Sequence, residues 1–236
     1  YIYRHFEQLV RDLNKYINEI YEQKIISQQL ELKQLQSQIN PHFLYNCFYN
    51  VYRLCKSEDY GTLLELTRQL GRYYEYITRN GEDEVTVESE YAHAKSYLEI
   101  QAIRYVNMIE ITMNELPEEV KSYYVPKLIL QPIIENAFIH GFSVKKKGKL
   151  AISFHFHDGV FVFKVEDDGD GLPDLELKTL QEKLKHPEKI AEKTGILNIC
   201  RRLKLKFGND SGVFIERNSN NGITCSLVIH FKKGAV

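Results

Sequence analysis

Through the first hundred positions, apolar residues recur at spacings of three and four. Ile2, Phe6, Leu9, Leu13, Tyr16 and Ile20 form one stripe, and Leu32, Leu35 and Ile39 resume it after a break near Lys24. This is the seam of a coiled coil interrupted by a stutter, which locally changes the supercoil. A parallel dimer covers such a seam; the alternative is packing onto the chain's own domain. Thr62 and Glu65 have the spacing of a capping box directly after Gly61, so a second helix is expected from Thr62, with Leu63, Leu66, Leu70, Tyr73 and Ile77 as its stripe. The short turn from Ser57 to Gly61 sets the two helices antiparallel, and two such hairpins make a four-helix bundle. A third helix, about Val87 to Tyr105, carries Tyr91, Ala94, Leu98, Ala102 and Tyr105 on one face.

From about residue 109 the period changes to two. Leu150, Ile152, Phe154 and Phe156 alternate with Ala151, Ser153, His155 and His157, and Asp158-Gly159 is a hairpin turn signal before a strand from Val160 to Asp167. A last strand alternates through Ile223, Cys225, Leu227, Ile229 and Phe231. Two helices interleave with these strands. One has Pro132 in its first turn and Gly141 at its end; the other runs from Gly195 to Phe207. The expected fold is α+β: a helical hairpin and coiled coil dimerising as a four-helix bundle, then an α/β sandwich. The expected divisions are a coiled-coil helix over 1–30, a helical dimerisation domain with a connecting helix over 31–106, and the sandwich over 107–236.

Composition narrows the function classes. Lys and Arg number 31 against 32 Asp and Glu, a net charge of −1, which argues against a broad nucleic-acid surface. No apolar run approaches the roughly 20 residues that span a bilayer, and no signal peptide is visible. The chain opens on Tyr1 rather than Met, which reads as an excerpt of a longer protein, with any membrane segment upstream. The four cysteines, Cys47, Cys55, Cys200 and Cys225, form no Cys-x-x-Cys pair and suggest packing residues in a reducing compartment.

Four motifs carry candidate chemistry. In Gln38-Ile39-Asn40-Pro41-His42-Phe43-Leu44-Tyr45-Asn46, a Pro inside a helical pattern kinks or breaks the helix and presents His42 outward. A neutral imidazole nitrogen is nucleophilic near neutral pH, so His42 suits a phosphoryl acceptor; the alternative is a surface His beside a helix boundary. In Gln131-Pro132-Ile133-Ile134-Glu135-Asn136-Ala137-Phe138-Ile139-His140-Gly141, Glu135, Asn136 and His140 form a polar stripe opposite an apolar face. Asn136 offers a neutral oxygen that can ligate Mg²⁺; the alternative is an ordinary amphipathic helix.

In Val165-Glu166-Asp167-Asp168-Gly169-Asp170-Gly171, Asp167 shares strand parity with Phe161, Phe163 and Val165 and should be buried. A buried carboxylate needs donors, and the adenine amine is one. Gly169 and Gly171 let backbone approach a ligand; the alternative is a turn that Asp167 caps. In Lys193-Thr194-Gly195-Ile196-Leu197-Asn198, a Gly ahead of a helix leaves N–H groups free to cradle phosphate. The Lys-rich stretch between Gly171 and Gly195 reads as a mobile lid over a nucleotide or as a solvated loop.

In this order the motifs resemble the LytS/YesM-like sensor histidine kinases, over roughly Leu32 to Phe231. Pro41-His42-Phe43-Leu44-Tyr45-Asn46 looks like that family's phosphoacceptor box. Gln131 to Ala137 with His140-Gly141 looks like its N box. Asp167-Asp168-Gly169-Asp170-Gly171 looks like its first glycine box, with Asp168 where Asn is usual, and Gly195 with Asn198 looks like the second. The helix with Glu90, Tyr97-Leu98 and Arg104 resembles the connecting segment.

The resemblance implies a phosphotransfer domain followed by a Bergerat-type ATP-binding domain of the gyrase, Hsp90, histidine kinase and MutL superfamily. It also implies ATP and Mg²⁺ as cofactors, a homodimer, a cognate response regulator, and the cytoplasmic part of a bacterial membrane protein. His42 would be the acceptor, Asn136 the Mg²⁺ ligand, and Asp167 the adenine reader. His140, Gly169, Gly171, Gly195, Asn198 and Thr224 would be further nucleotide contacts. Glu135 would polarise a group in the site, and Asn46, one turn after His42, would orient a water for phosphatase activity. Two departures stand out: Lys193 replaces a usual Gly, and the last strand begins Gly222-Ile223-Thr224 rather than Gly-Thr. The competing readings are a dimeric pseudokinase scaffold and an ATP-driven conformational clamp.

Overall fold

A computed structural model describes Lys24 and residues 41–78, 83–142, 147–190 and 195–231. The seam from Ile2 to Ile20, its continuation to Ile39, and Lys193 with Thr194 lie outside the described residues. The chain divides into two compact units, Tyr1–Tyr49 and Asn50–Val236, and the division falls within one helix.

That helix, α1 (Pro41–Lys56), opens on its proline, where a missing N–H costs nothing and φ is already helical. Phe43 and Cys47 are buried, while His42, Tyr45, Phe48 and Tyr49 are exposed. In the larger unit, α2 (Tyr60–Thr78) starts two residues before the expected Thr62. The cap is Asp59, whose Oδ1 accepts the Thr62 N–H at 3.1 Å. That bond holds the Asp59 carboxyl below its ordinary value. Glu65, expected as the reciprocal half of a box, instead accepts from Arg68 and Gln69.

A two-stranded clasp follows, in which β1 (Glu84–Thr86) pairs antiparallel with β3 (Tyr124–Pro126). Thr86 caps α3 (Val87–Arg104) by accepting the Ser89 N–H at 3.2 Å. The expected single apolar face of α3 is not what the helix shows. Ala94 and Leu98 are buried as expected, but Ala102 is exposed, and Glu90, His93, Ser96, Tyr97 and Gln101 are buried as well. The helix is enclosed on two sides, α2 on one and the sheet on the other, so its apolar and polar residues do not segregate.

The sheet has five strands in the order β2 (Ile109–Met113), β4 (Gly148–His157), β5 (Val160–Asp167), β7 (Ile223–His230), β6 (Gly212–Arg217). Only β2–β4 is parallel; the rest are antiparallel. The register puts Ile152 beside Val165 and Phe154 beside Phe163, and Phe163 in turn beside Leu227. These side chains form the inner face, and helices cover it: Tyr91 of α3 meets the Phe154 ring edge-on at 5.2 Å. The opposite face carries the half-buried Lys164 and Glu166 and the exposed His155. A helical layer on one face of a mixed sheet is the expected two-layer sandwich.

The helices over the inner face are α4 (Gln131–Asn136), which ends in a π-helical turn through Gly141, α5 (Asp174–Lys185) and α6 (Gly195–Phe207). No helix among the described residues is long and apolar enough to cross a membrane.

Candidate nucleotide site

Between α4, α5, the start of α6 and the ends of β5, β6 and β7 lies a cavity of about 470 Å³. That is within the usual range for small-ligand sites. Asn136, His140, Asp167, Gly171 and Gly195 all line it, although the sequence scatters them over sixty residues. Each arrives by a local cause. Pro132 starts α4, Ile133 and Ile134 seat it in the core, and the next turn swings Asn136 and His140 to the cavity. Strand parity carries Asp167 inward below Phe163 and Val165.

Asp167 is 5% exposed, and its Oδ1 accepts the N–H groups of Gly169 at 2.9 Å and Ile223 at 3.4 Å. It therefore caps the turn after β5 and also lines the cavity. Glycines make this packing possible. A Cβ on Gly169 would stand 1.9 Å from the Gly141 oxygen, and one on Gly222 would stand 2.0 Å from the Asp167 oxygen. The Asn218 amide donates to that same Asp167 oxygen at 2.7 Å. Beside Asp167, burial and the neighbouring carboxylate push the Cys225 thiol up to about 12, so it stays protonated and contributes only its bulk to the cavity wall.

Asn136 donates its amide nitrogen to the Pro132 oxygen at 2.6 Å. That bond turns Oδ1, the hard acceptor, into the atom left to meet a cation. An amide oxygen on the cavity wall is a donor type that fits Mg²⁺.

Other expected site residues are placed differently. Gly169 packs backbone against Gly141 and does not line the cavity. Thr224 lies across from Glu166, on the opposite parity from Asp167, with Oγ1 3.4 Å from Glu166 Oε1. Ile223 and Cys225 line the cavity in its place. Asn198 is exposed on α6 and accepts from Arg201, and Glu135 is half-buried outside the cavity lining. In the other unit, His42 is exposed on the first turn of α1, and the Asn46 amide nitrogen stands 3.4 Å from both of its ring nitrogens, long for a hydrogen bond.

The largest omission of the sequence reading is α5. Within the stretch expected as a mobile lid, Asp174–Lys185 form a helix with Leu177 and Leu184 buried, and its other side, through Leu175, Glu176, Thr179, Leu180 and Lys183, forms one wall of the cavity. The spacing of those residues is helical and was visible in the sequence. Arg217 of β6 fastens the start of α5 by donating to the Leu172 oxygen and to Asp174 at 2.8 Å.

A helical segment is thus followed by a sandwich whose helices and strand ends enclose a cavity lined by apolar side chains and a few polar ones, and comparison with known proteins shows what this arrangement is similar to. Residues 30–109 match the family model described as Histidine kinase. The Sensor protein LytS of Bacillus cereus is 33% identical over 215 residues, 90% of this chain and 36% of that protein. The Sensor histidine kinase YesM of Bacillus subtilis is 29% identical over 231 residues, 96% of this chain and 38% of that protein. The histidine kinase domain of the Erythrobacter litoralis EL346 blue-light activated histidine kinase is a solved structure at 17% identity and TM-score 0.45, covering 85% of this chain and 93% of that one. The chain thus matches the histidine kinase family over residues 30–109 and is similar to the sensor kinases LytS and YesM over nine-tenths or more of its length. It spans little more than a third of the length of those curated relatives.

Proposed function

We propose that this chain is the cytoplasmic kinase core of a two-component sensor, which uses ATP and Mg²⁺ to phosphorylate His42 and passes the phosphoryl group to an Asp of a response regulator. The observation that carries the reading is the convergence of Asn136, His140, Asp167, Gly171 and Gly195 on one cavity. In this reading residues 1–30 transmit the signal, 31–106 dimerise and carry the acceptor, and 107–236 form a Bergerat-type ATP-binding domain.

Asp167 supplies an acceptor to the adenine amine. His140 and the N–H groups at the start of α6 meet phosphate oxygens. Asn136 Oδ1 holds Mg²⁺, which when bound neutralises charge on the phosphates. The His42 ring nitrogen attacks the γ-phosphorus, the bond to the bridging oxygen breaks with its electron pair leaving on ADP, and the ring proton passes to a base.

A homodimer is supported by α1. Tyr45, Phe48, Tyr49 and Tyr52 are each more than half exposed at helical spacing, an apolar stripe of the kind a second copy covers.

Nucleotide titration tests the cavity. Guanine would set a carbonyl against the Asp167 carboxylate, leaving two buried acceptors face to face. ATP should be favoured over GTP by about tenfold or more, roughly 1.4 kcal/mol. Asp167→Asn should weaken ATP and narrow that ratio. Wild-type affinity and selectivity in the variant would confine Asp167 to capping its turn.

A further inference from the structure

A chain of buried and half-buried polar contacts joins α2 to the first turn of α4, the helix that brings Asn136 to the cavity. Glu90 of α3 is 1% exposed and accepts the N–H groups of Leu128 at 2.5 Å, Ile129 at 2.9 Å and Leu130 at 3.1 Å, the three residues immediately before α4. Leu128 is held at a φ of 61°, so this approach to the helix is a specific backbone shape that the carboxylate stabilises. The hydroxyl of Tyr76, on α2, donates to the same carboxylate.

A second strand of the network runs alongside. His93, one turn after Glu90, is stacked between the rings of Tyr73 at 4.9 Å and Tyr76 at 4.2 Å. Its Nε2 is 2.7 Å from Oε1 of Gln131, the first residue of α4, and the Gln131 amide donates to the Tyr73 hydroxyl at 2.9 Å. Two tyrosines of α2 are thus bonded to the residues that fix where α4 begins. Glu90, His93, Gln131 and Tyr73 are buried and cannot exchange a lost partner for water, so a shift of α2 and the present placement of α4 are not independent.

We propose that Glu90 is a positioning residue for the nucleotide site and that Tyr76 and Tyr73 couple the position of α2 to α4 through Glu90 and Gln131. The statement about the nucleotide rests on reading the cavity as an ATP site; the mechanical coupling does not.

Hydrogen exchange on the full chain separates the two. Without nucleotide, Tyr76→Phe should speed exchange across residues 128–136 by about fivefold. Unchanged exchange there overturns the coupling. With ATP, linkage requires the reciprocal effect: exchange at Tyr73 to Ile77 should slow in the wild type and not in Tyr76→Phe. Glu90→Gln should weaken ATP binding by about fivefold. If ATP binds and the α2 amides do not respond, the proposal fails while the ATP site stands. If Tyr76→Phe loosens 128–136 but ATP binds neither protein, the coupling stands and the reading of the cavity fails.

Discussion

At the scale of single residues, burial decides the chemistry. His93 is 3% exposed, and burial holds its imidazole below the ordinary 6.5, against the raising influence of Glu90 and of its contact with Gln131. The native chain therefore binds fewer protons than the unfolded chain between the two values. The corresponding stability is fully present above the unfolded value of about 6.5 and is lost as pH falls through the lower folded one. Melting midpoints followed from neutral to acidic pH should thus fall more steeply for the wild type than for His93→Gln; parallel slopes would mean His93 does not titrate in this window.

Thiol reactivity follows the same logic. Cys55 is exposed, whereas Cys47, Cys200 and Cys225 are buried, and burial raises the Cys200 and Cys225 thiols. Native-state alkylation read by mass spectrometry should label Cys55 alone; rapid labelling of Cys225 would mean that the cavity wall opens. Asp167 was legible from strand parity alone, because a period of two leaves no choice of face. Its glycine surroundings were not. Gly141 and Gly222 come to Asp167 from distant segments, and only the fold brings them there.

At the scale of elements, β1, β2, β3 and β6, at three to six residues each, were not read as strands, whereas β4, β5, β7 and α6 were readable, since each presents one face to a core. α3 was not, because a helix enclosed by neighbours on two sides shows no clean stripe, and its buried Glu90 and Gln101 look like solvent-facing residues in sequence. The start of α2 was misplaced because Asp59 and Thr62 both have capping chemistry, and the backbone chose the first.

Two glycines should respond oppositely to alanine. Gly169→Ala drives a Cβ to 1.9 Å from the Gly141 oxygen and should cost about 1–3 kcal/mol or more. Gly71, exposed within α2 with nothing within 4 Å of an added Cβ, should gain about 0.5–1 kcal/mol. Chemical denaturation of both variants measures this, and the same sign for both would contradict the packing around Asp167.

At the scale of the molecule, the proposed kinase needs a dimer and a nucleotide domain acting on one histidine. The seam through Leu9 and Leu13 lies outside the described residues, but its sequence period makes it a candidate for holding two copies together. Leu9 and Leu13 changed together to Glu would set like charges opposite one another in a parallel pair, and light scattering should then report a weakened dimer. An unchanged mass would assign association to α1 and α2 alone. The central claim is that His42 takes a phosphoryl group from ATP bound in the other unit. Incubation with γ-labelled ATP and Mg²⁺ tests it most directly. The wild type should acquire an acid-labile, base-stable label that His42→Gln lacks while still binding ATP; a label that persists in His42→Gln, or none in a wild type that binds ATP, would contradict it.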